Sequence, residues 1–174
     1  MSIPAIPPKI LVVMGVSGSG KSSVALGLHE ALGWEFQEGD ELHPPENVAK
    51  MRAGIPLDDA DRAPWLALCA QWIRVRHEAG RPGILTCSAL KKSYRQTLSQ
   101  GFRDVWFLYP KVPEAVLRAR VAERSHQYMP SSLLPTQLRT LEEPGSDEQV
   151  IAVAVGNTVP ETITLFLERL ASQT

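Results

Sequence analysis

Residues 10–22 read ILVVMGVSGSGKS, an apolar run followed by a glycine-rich turn. The part from 15 to 22 fits the pattern G-x-x-x-x-G-K-[ST], and it stands where that pattern requires, between a buried strand and a helical periodicity. Glycines at 15, 18 and 20 let phosphate oxygens approach the main chain. The exposed amides and the N-terminus of the next helix then form a concave anion site. The stretch predicts a nucleoside triphosphate site, and the strand and helix around it disfavour a ligand-free turn.

The predicted nucleotide contacts are the residues of this loop and the first turn of the helix after it. They are Gly15, Val16, Ser17, Gly18, Ser19, Gly20, Lys21, Ser22 and Ser23. Lys21 is expected to reach the β- and γ-phosphates, and the Ser22 hydroxyl is expected to ligate Mg²⁺. ATP and Mg²⁺ are therefore the expected cofactors.

The composition predicts a small cytoplasmic protein. A length of 174 residues predicts one domain, 1–174, and a net charge of −1 argues against nucleic-acid or anionic-membrane partners. The first eight residues lack a signal-peptide pattern, and no apolar run approaches the length of a membrane span. Cys69 and Cys87 form no metal-binding or redox pattern, and a buried reduced thiol is expected at Cys87.

Short apolar segments alternate with amphipathic ones, which predicts an α/β fold with a parallel sheet covered on both faces. The predicted strands are 10–14, 34–37, 84–87, 105–108 and 150–155. The predicted helices are 21–32, 46–53, 64–79, 91–98, 113–124 and 161–171, with a further helical turn near 138–141. Since ligands bind beyond the carboxyl ends of the strands in such sheets, the glycine-rich loop, Asp40 and Ser88 are expected to share one cleft.

Two polar segments are too long to be simple connections. Residues 40–62 are rich in prolines, acids and bases, and residues 125–135 are polar and bounded by proline. Long irregular segments in a compact domain are usually functional. We therefore predict a substrate arm over about 40–66 and a lid over about 125–135.

The pattern of acidic residues separates the classes of nucleotide-binding protein. The sequence has neither the N-K-x-D nor the D-x-x-G pattern of GTPases, and Asp40 is its one carboxylate at a predicted strand end. Motor and transport ATPases usually have an apolar strand that ends in Asp, whereas the predicted strands 84–87 and 105–108 end without one. A nucleic-acid-dependent ATPase would show a basic face with aromatic residues, and the sequence has no such pattern. A compact phosphotransferase that encloses a small acceptor remains.

Two arginines precede the predicted lid. Arg120 and Arg124 are four residues apart and fall on one helix face. Guanidinium groups on a closing lid would stabilise charge on the transferring phosphoryl group. A solvated helix face is an equally good interpretation of this spacing.

Two further stretches carry a family resemblance. Residues 39–66 read GDELHPPENVAKMRAGIPLDDADRAPWL, and residues 87–95 read CSALKKSYR. Both resemble the signatures of gluconokinases of the thermoresistant type, which are related to shikimate kinase, and the resemblance extends from the glycine-rich loop to about Pro144. It implies ATP-dependent phosphorylation of D-gluconate at its 6-hydroxyl, giving 6-phosphogluconate and ADP. It also implies a three-layer P-loop kinase fold with a five-stranded parallel sheet, a closing lid and a homodimer.

The sequence departs from that family at two places. Where the family usually reads His-Phe-Met-Pro in the lid, this chain has Gln127 at the first position and a histidine one place earlier, at His126. Where the family usually has glycine after the fourth strand, the chain has Pro110 and Lys111. Lid contacts of the family histidine are therefore not carried over to this chain.

The predicted catalytic residues are Lys21, Asp40 and Arg124. Asp40 is expected to orient or deprotonate the attacking hydroxyl and to order water on Mg²⁺, although a loop or capping carboxylate is the alternative. Arg120 and Arg124 are assigned to ATP, with Arg124 as the catalytic cation.

An aldonic acid presents a carboxylate and a row of hydroxyls, which require different partners. Cationic side chains suit the carboxylate, whereas Asp, Asn and His suit the polyol. The predicted substrate residues are Asp40, His43, Asn47, Arg52, Arg62, Lys91 and Arg95. A kinase for another sugar acid or for shikimate, and a catalytically silent nucleotide-binding module, are the alternative functions.

Overall fold

A five-stranded parallel sheet forms the centre of the computed structural model, which describes residues 3–123, 131–156 and 158–173. The strands are β1 (Ile10–Val13), β2 (Phe36–Glu38), β3 (Gly83–Thr86), β4 (Val105–Lys111) and β5 (Val150–Ala154). Their spatial order is β2-β3-β1-β4-β5, so the strand that precedes the glycine-rich loop lies in the middle of the sheet. All four strand pairs are parallel, as predicted.

Helices cover both faces of the sheet. They are α1 (Lys21–Leu32), α2 (Pro45–Arg52), α3 (Asp59–Ala79), α4 (Lys92–Ser99), α5 (Glu114–Glu123), α6 (Leu134–Thr140) and α7 (Val159–Ala171). Short 3₁₀ helices span Gly39–Leu42 and Ser131–Leu133. Within the described ranges, no helix has both the length and the apolar character that crossing a membrane requires.

Alternate residues of the strands supply two separate cores. On one face Val12, Leu85 and Phe107 pack with side chains of α3, α4 and α5. On the other face Leu11 and Ile84 pack with side chains of α1 and α7. This division follows from the period of two along a strand, and it confirms the predicted three-layer α/β fold.

Helix α3 begins earlier than the proline at 64 predicted. Asp58 is its N-cap: the Asp58 carboxylate accepts a hydrogen bond from the Asp61 N–H at 2.8 Å, and the Asp61 carboxylate accepts one from the Asp58 N–H at 3.0 Å. This reciprocal capping box starts the helix at Asp59, with Pro64 inside it. The predicted start at Pro64 was wrong because the cap is the stronger signal. Most other predicted boundaries shift by one or two residues.

Strand β4 is longer than predicted and passes through Pro110. Its pairing with β1 ends at Leu108, whereas its pairing with β5 continues to Lys111. The Phe107 N–H donates toward the β5 side, to the Gln149 carbonyl. Because amides alternate along a strand, the N–H that Pro110 lacks would face the β1 side, where β1 has already ended. The proline therefore costs the sheet no hydrogen bond.

Both cysteines are free and buried, which agrees with the expectation for Cys87. A hydrogen bond with Cys87, together with burial, raises the pKa of the Cys69 thiol far above its ordinary value. Cys69 is therefore protonated and packs as a small apolar group.

Candidate active site

The glycine-rich loop lies between β1 and α1 and packs closely against a third element, helix α5. Gly18 has φ +84°, and a Cβ at this residue would lie 3.0 Å from the Val121 side chain and 3.2 Å from the Leu117 carbonyl oxygen. Helix α5 therefore packs directly against the loop main chain. The buried Ser19 hydroxyl donates to the Val16 carbonyl at 2.7 Å, which closes the turn from inside.

Lys21 is the first residue of α1 and lies over the loop. Its ammonium group donates to the carbonyl oxygens of Gly15 and Val16 at 3.0 and 3.1 Å. Ser22 and Ser23 follow in the exposed first turn of the helix. The amides of that turn and the positive end of the helix dipole favour an anion at this place.

Hydrogen bonds join the ends of three neighbouring strands. The Gly15 N–H donates to the Ser88 carbonyl at 3.1 Å, and the Gly39 N–H donates to the Thr86 hydroxyl at 3.0 Å. A Cβ at Gly39 would lie 1.9 Å from the Thr86 carbonyl oxygen, so no other residue fits there. These bonds fix Asp40, the next residue, relative to the glycine-rich loop.

One cavity at this edge of the sheet collects residues from the loop, the arm and the segment after the predicted lid. Its lining includes Lys21, Asp40, His43, Arg62, Ser88 and Gln137. The predicted shared cleft therefore contains the loop lysine, the strand-end carboxylate and two further predicted substrate residues, His43 and Arg62. The cavity has both cationic and anionic groups on its wall, which suits a reaction between an anionic donor and a hydroxylated acceptor.

His43 is held in a defined orientation and tautomer. Its ring stacks on Trp65 at 4.1 Å between centroids, and the Trp65 indole N–H donates to the Gly39 carbonyl at 2.8 Å. The Asn47 amide nitrogen donates to the Asp61 carbonyl at 2.8 Å and lies 3.2 Å from His43 Nδ1. Because that nitrogen is only a donor, His43 Nδ1 accepts and the ring proton lies on Nε2.

The environment of His43 keeps its ring neutral at pH 7. Burial and the nearby Arg62 guanidinium lower its pKa to about 4, although the Asp40 carboxylate opposes that shift. Neutral His43 can donate one hydrogen bond through Nε2, as a polyol hydroxyl requires.

This shift makes the stability of the protein sensitive to acid. Between pH 6.5, the ordinary pKa of histidine, and about pH 4, the unfolded chain binds a proton at His43 that the folded protein excludes. The free energy of unfolding is therefore expected to fall as the pH is lowered through this window. Urea unfolding at pH 7 and pH 5 should show a smaller fall for His43→Gln than for the wild type, and an equal fall in both proteins would contradict the assignment.

Arg62 is buried, with 8% of its surface exposed, and lines the cavity. Its Nη1 donates to the Tyr94 hydroxyl at 3.1 Å, and that hydroxyl in turn donates to the Asp59 carboxylate. The Lys91 ammonium also donates to Asp59, at 3.0 Å. Among the described residues, no carboxylate lies within salt-bridge distance of Arg62. The network orients the guanidinium without neutralising it.

Arg95 does not join this site. Its Nε and Nη2 donate to the Glu148 carboxylate at 2.6 and 3.2 Å, and further bonds reach the main-chain carbonyls of Ala89, Leu90 and Glu142. A guanidinium has five N–H donors, and these contacts use all five. The side chain is 1% exposed. The predicted substrate contact is therefore corrected to a structural role, in which Arg95 ties α4 to the chain before β5.

The other predicted site residues differ in their position relative to the cavity. Arg120 lies beside the glycine-rich loop, where its Nη1 donates to the Gly18 carbonyl at 3.0 Å. Arg52 is exposed at the end of α2, and it lies outside the cavity lining. Asn47 and Lys91 also lie outside that lining and contact residues that belong to it or support it. Arg124, Gln127 and most of the predicted lid lie outside the described residues.

Comparison with known proteins identifies the family. A family model described as an AAA domain matches residues 10–144. A gluconokinase of Gluconobacter oxydans (strain 621H) is 53% identical over 158 residues, which cover 91% of this chain and 88% of that protein. This chain belongs to the gluconokinase family.

Solved structures agree with this membership. A gluconokinase from Sinorhizobium meliloti 1021 has a TM-score of 0.85 and 45% identity, and the match covers 97% of each chain. A sugar kinase from Janibacter sp. HTCC2649 has a TM-score of 0.87 and 44% identity over 93% of this chain and 94% of that one. The resemblance to gluconokinases, which the sequence shows in the arm and the glycine-rich loop, is therefore confirmed, and the structural match extends over the whole fold.

Some cavity residues were missed by sequence reasoning. Thr136 and Gln137 line the cavity from α6, and Met51 and Leu57 line it from the arm. The apolar periodicity near Leu138 predicts a helical turn, but it does not predict that the side chain of Gln137, the preceding residue, lines the cavity. For Thr136 and Gln137, the one signal in the sequence was that they directly follow the predicted lid.

Proposed function

We propose that this protein transfers the γ-phosphoryl group of ATP to the 6-hydroxyl of D-gluconate. The observation that carries the proposal is the single cavity shared by Lys21, Asp40 and Arg62. Membership in the gluconokinase family supports the same reaction. The kinases for other acceptors and the silent nucleotide-binding module are not favoured by these relatives.

In this proposal Arg62 binds the substrate carboxylate. A buried guanidinium is costly unless an anion pairs with it, and Arg62 contacts a neutral phenol in the protein. Gluconate has its carboxylate and its 6-hydroxyl at opposite ends of a six-carbon chain. Binding of the carboxylate at Arg62 therefore leaves the other end of the chain available to Lys21 and Asp40.

The polyol hydroxyls then meet His43 through its Nε2–H. Asn47 acts on the substrate through His43, and Lys91 acts through Asp59 and Tyr94, rather than by direct contact. Arg52, which is exposed, has the weakest support among the predicted substrate residues.

At the reacting end, Asp40 orients the 6-hydroxyl and accepts its proton, while Lys21 neutralises charge on the phosphates. Arg120 and Arg124 are proposed to serve ATP from the loop side and the lid side. Mg²⁺ usually takes one or two protein oxygens together with phosphates and water, and the exposed Ser22 hydroxyl and Asp40 carboxylate provide such donors. Bound there, the ion would supply further charge neutralisation on the phosphates.

A substrate panel tests this proposal. ADP release with Mg·ATP is measured for D-gluconate, other aldonates, glucose and shikimate. Turnover confined to D-gluconate is expected, and turnover confined to another acceptor would contradict the proposed substrate.

Arg62→Lys tests the carboxylate site directly. The substitution keeps the charge but loses the planar fork, so the KM for gluconate is expected to rise about 10- to 100-fold while the affinity for ATP stays unchanged. Arg81→Lys is the matched control, because Arg81 is exposed and precedes β3 at the opposite edge of the sheet. An unchanged KM in Arg62→Lys would contradict the role of Arg62.

Location and assembly complete the proposal. We expect a cytoplasmic protein, as the sequence pattern predicts, and a homodimer, as the family resemblance implies. Sedimentation of the purified protein at micromolar concentration would test the dimer.

A further inference from the structure

A hydrogen bond joins the glycine-rich loop to a helix 120 residues later in the chain. The Ser17 main-chain N–H donates to Gln137 Oε1 at 2.8 Å. Both residues line the cavity that contains Lys21 and Asp40, and Gln137 is 9% exposed. The carboxamide oxygen therefore lies inside the nucleotide site, on an amide of the phosphate-binding loop.

The acceptor of the Ser17 N–H is important because the glycine-rich loop is the expected phosphate site. Main-chain N–H groups of such a loop donate to phosphate oxygens when a nucleotide is present. A carboxamide oxygen is an acceptor of similar size, so Gln137 Oε1 takes a place that suits a phosphate oxygen. The Lys21 ammonium group likewise donates to two loop carbonyls. Both the Ser17 N–H and the Lys21 ammonium group are therefore satisfied within the protein.

Helix α6 is firmly attached to the rest of the protein. Leu134 is buried in the core cluster that also includes side chains of α3, α4 and α5, and Leu138 packs against the same cluster. After the helix, the Glu142 N–H donates to the Leu90 carbonyl at 2.7 Å. The Gln137 carboxamide can therefore leave Ser17 by rotation about its own side-chain bonds, without displacement of the helix.

From these contacts we infer that Gln137 is a further residue of the nucleotide site, and that it competes with the triphosphate for the Ser17 N–H. In the nucleotide-free protein it satisfies this amide and keeps the loop preformed. ATP binding replaces the Gln137 oxygen with a phosphate oxygen and releases the carboxamide into the cavity. The inference concerns the donor nucleotide alone, so it holds or fails independently of the proposed acceptor.

The sign of a change in nucleotide affinity tests this inference. Binding of a non-hydrolysable ATP analogue with Mg²⁺ is measured by titration calorimetry, without gluconate, for the wild type, Gln137→Leu and Gln137→Glu. Leucine has a similar size and no acceptor, so the Kd is expected to fall about 2- to 10-fold when the competitor is removed. Glutamate places a charged acceptor on the amide and repels the phosphates, so the Kd is expected to rise about 10-fold or more.

Gln96→Leu is the matched control, because Gln96 is exposed on α4 and lies outside this cavity. Its Kd is expected to equal that of the wild type. Thermal unfolding of every variant shows whether the fold is intact, and Gln137→Asn, whose oxygen cannot reach Ser17, replaces any variant that fails to fold. An unchanged or higher Kd for Gln137→Leu would overturn the inference, because it would mean that Gln137 supports nucleotide binding or takes no part in it.

Discussion

Lys21→Ala is expected to lower kcat about 10³-fold or more, which corresponds to about 4 kcal/mol of transition-state stabilisation. In the proposed mechanism the Lys21 ammonium group neutralises charge on the phosphates, and it lines the cavity at the start of α1. Phosphoryl transfer spreads negative charge over the transferring group and the leaving oxygen, so loss of a fixed cation weakens the transition state more than the ground state.

The fold is expected to survive this substitution. Lys21 is only partly buried, and its two carbonyl partners in the loop can be solvated from the cavity. Lys9→Ala is the matched control, since Lys9 precedes β1 at the opposite edge of the sheet. Turnover and thermal unfolding are measured for both variants. Near-normal turnover in Lys21→Ala would contradict the assignment of the loop as the phosphate site.

The sequence was most informative where function depends on short local patterns. The glycine-rich loop needs only the eight residues 15–22 and the elements beside them, so its place in the fold could be predicted. The position of Asp40 in the same cleft could be predicted as well, because the end of a parallel strand defines one edge of the sheet. Both predictions follow from the geometry of a single β-strand and its following turn.

Contacts between distant parts of the chain could not be predicted in this way. Arg95 has the charge that a substrate carboxylate needs, but its partner Glu148 lies 53 residues later, in a segment with no recognisable pattern. Gln137 likewise meets Ser17 across 120 residues. Residue type alone does not separate a buried structural ion pair from a ligand-binding cation, because both need the same guanidinium.

Asp40→Asn is expected to lower kcat about 10²- to 10⁴-fold, with a much smaller effect on the KM for gluconate. Asparagine has nearly the same shape and can still contact the 6-hydroxyl, but it cannot accept the proton that leaves as the bond to phosphorus forms. The anchored main chain at Gly39 keeps position 40 in place, so the variant tests the carboxylate rather than the loop.

Asp147→Asn is the matched control, because Asp147 is exposed, pairs with Lys92 and lies away from this cavity. Steady-state rates over a range of gluconate and ATP concentrations separate kcat from the two KM values. Equal losses in kcat and in gluconate affinity would mean that Asp40 mainly binds substrate. A normal kcat would mean that solvent, and not Asp40, accepts the proton of the 6-hydroxyl. The proposed role of Asp40 in the chemical step would then be wrong. A loss confined to kcat is the result expected of a group that acts in the transition state.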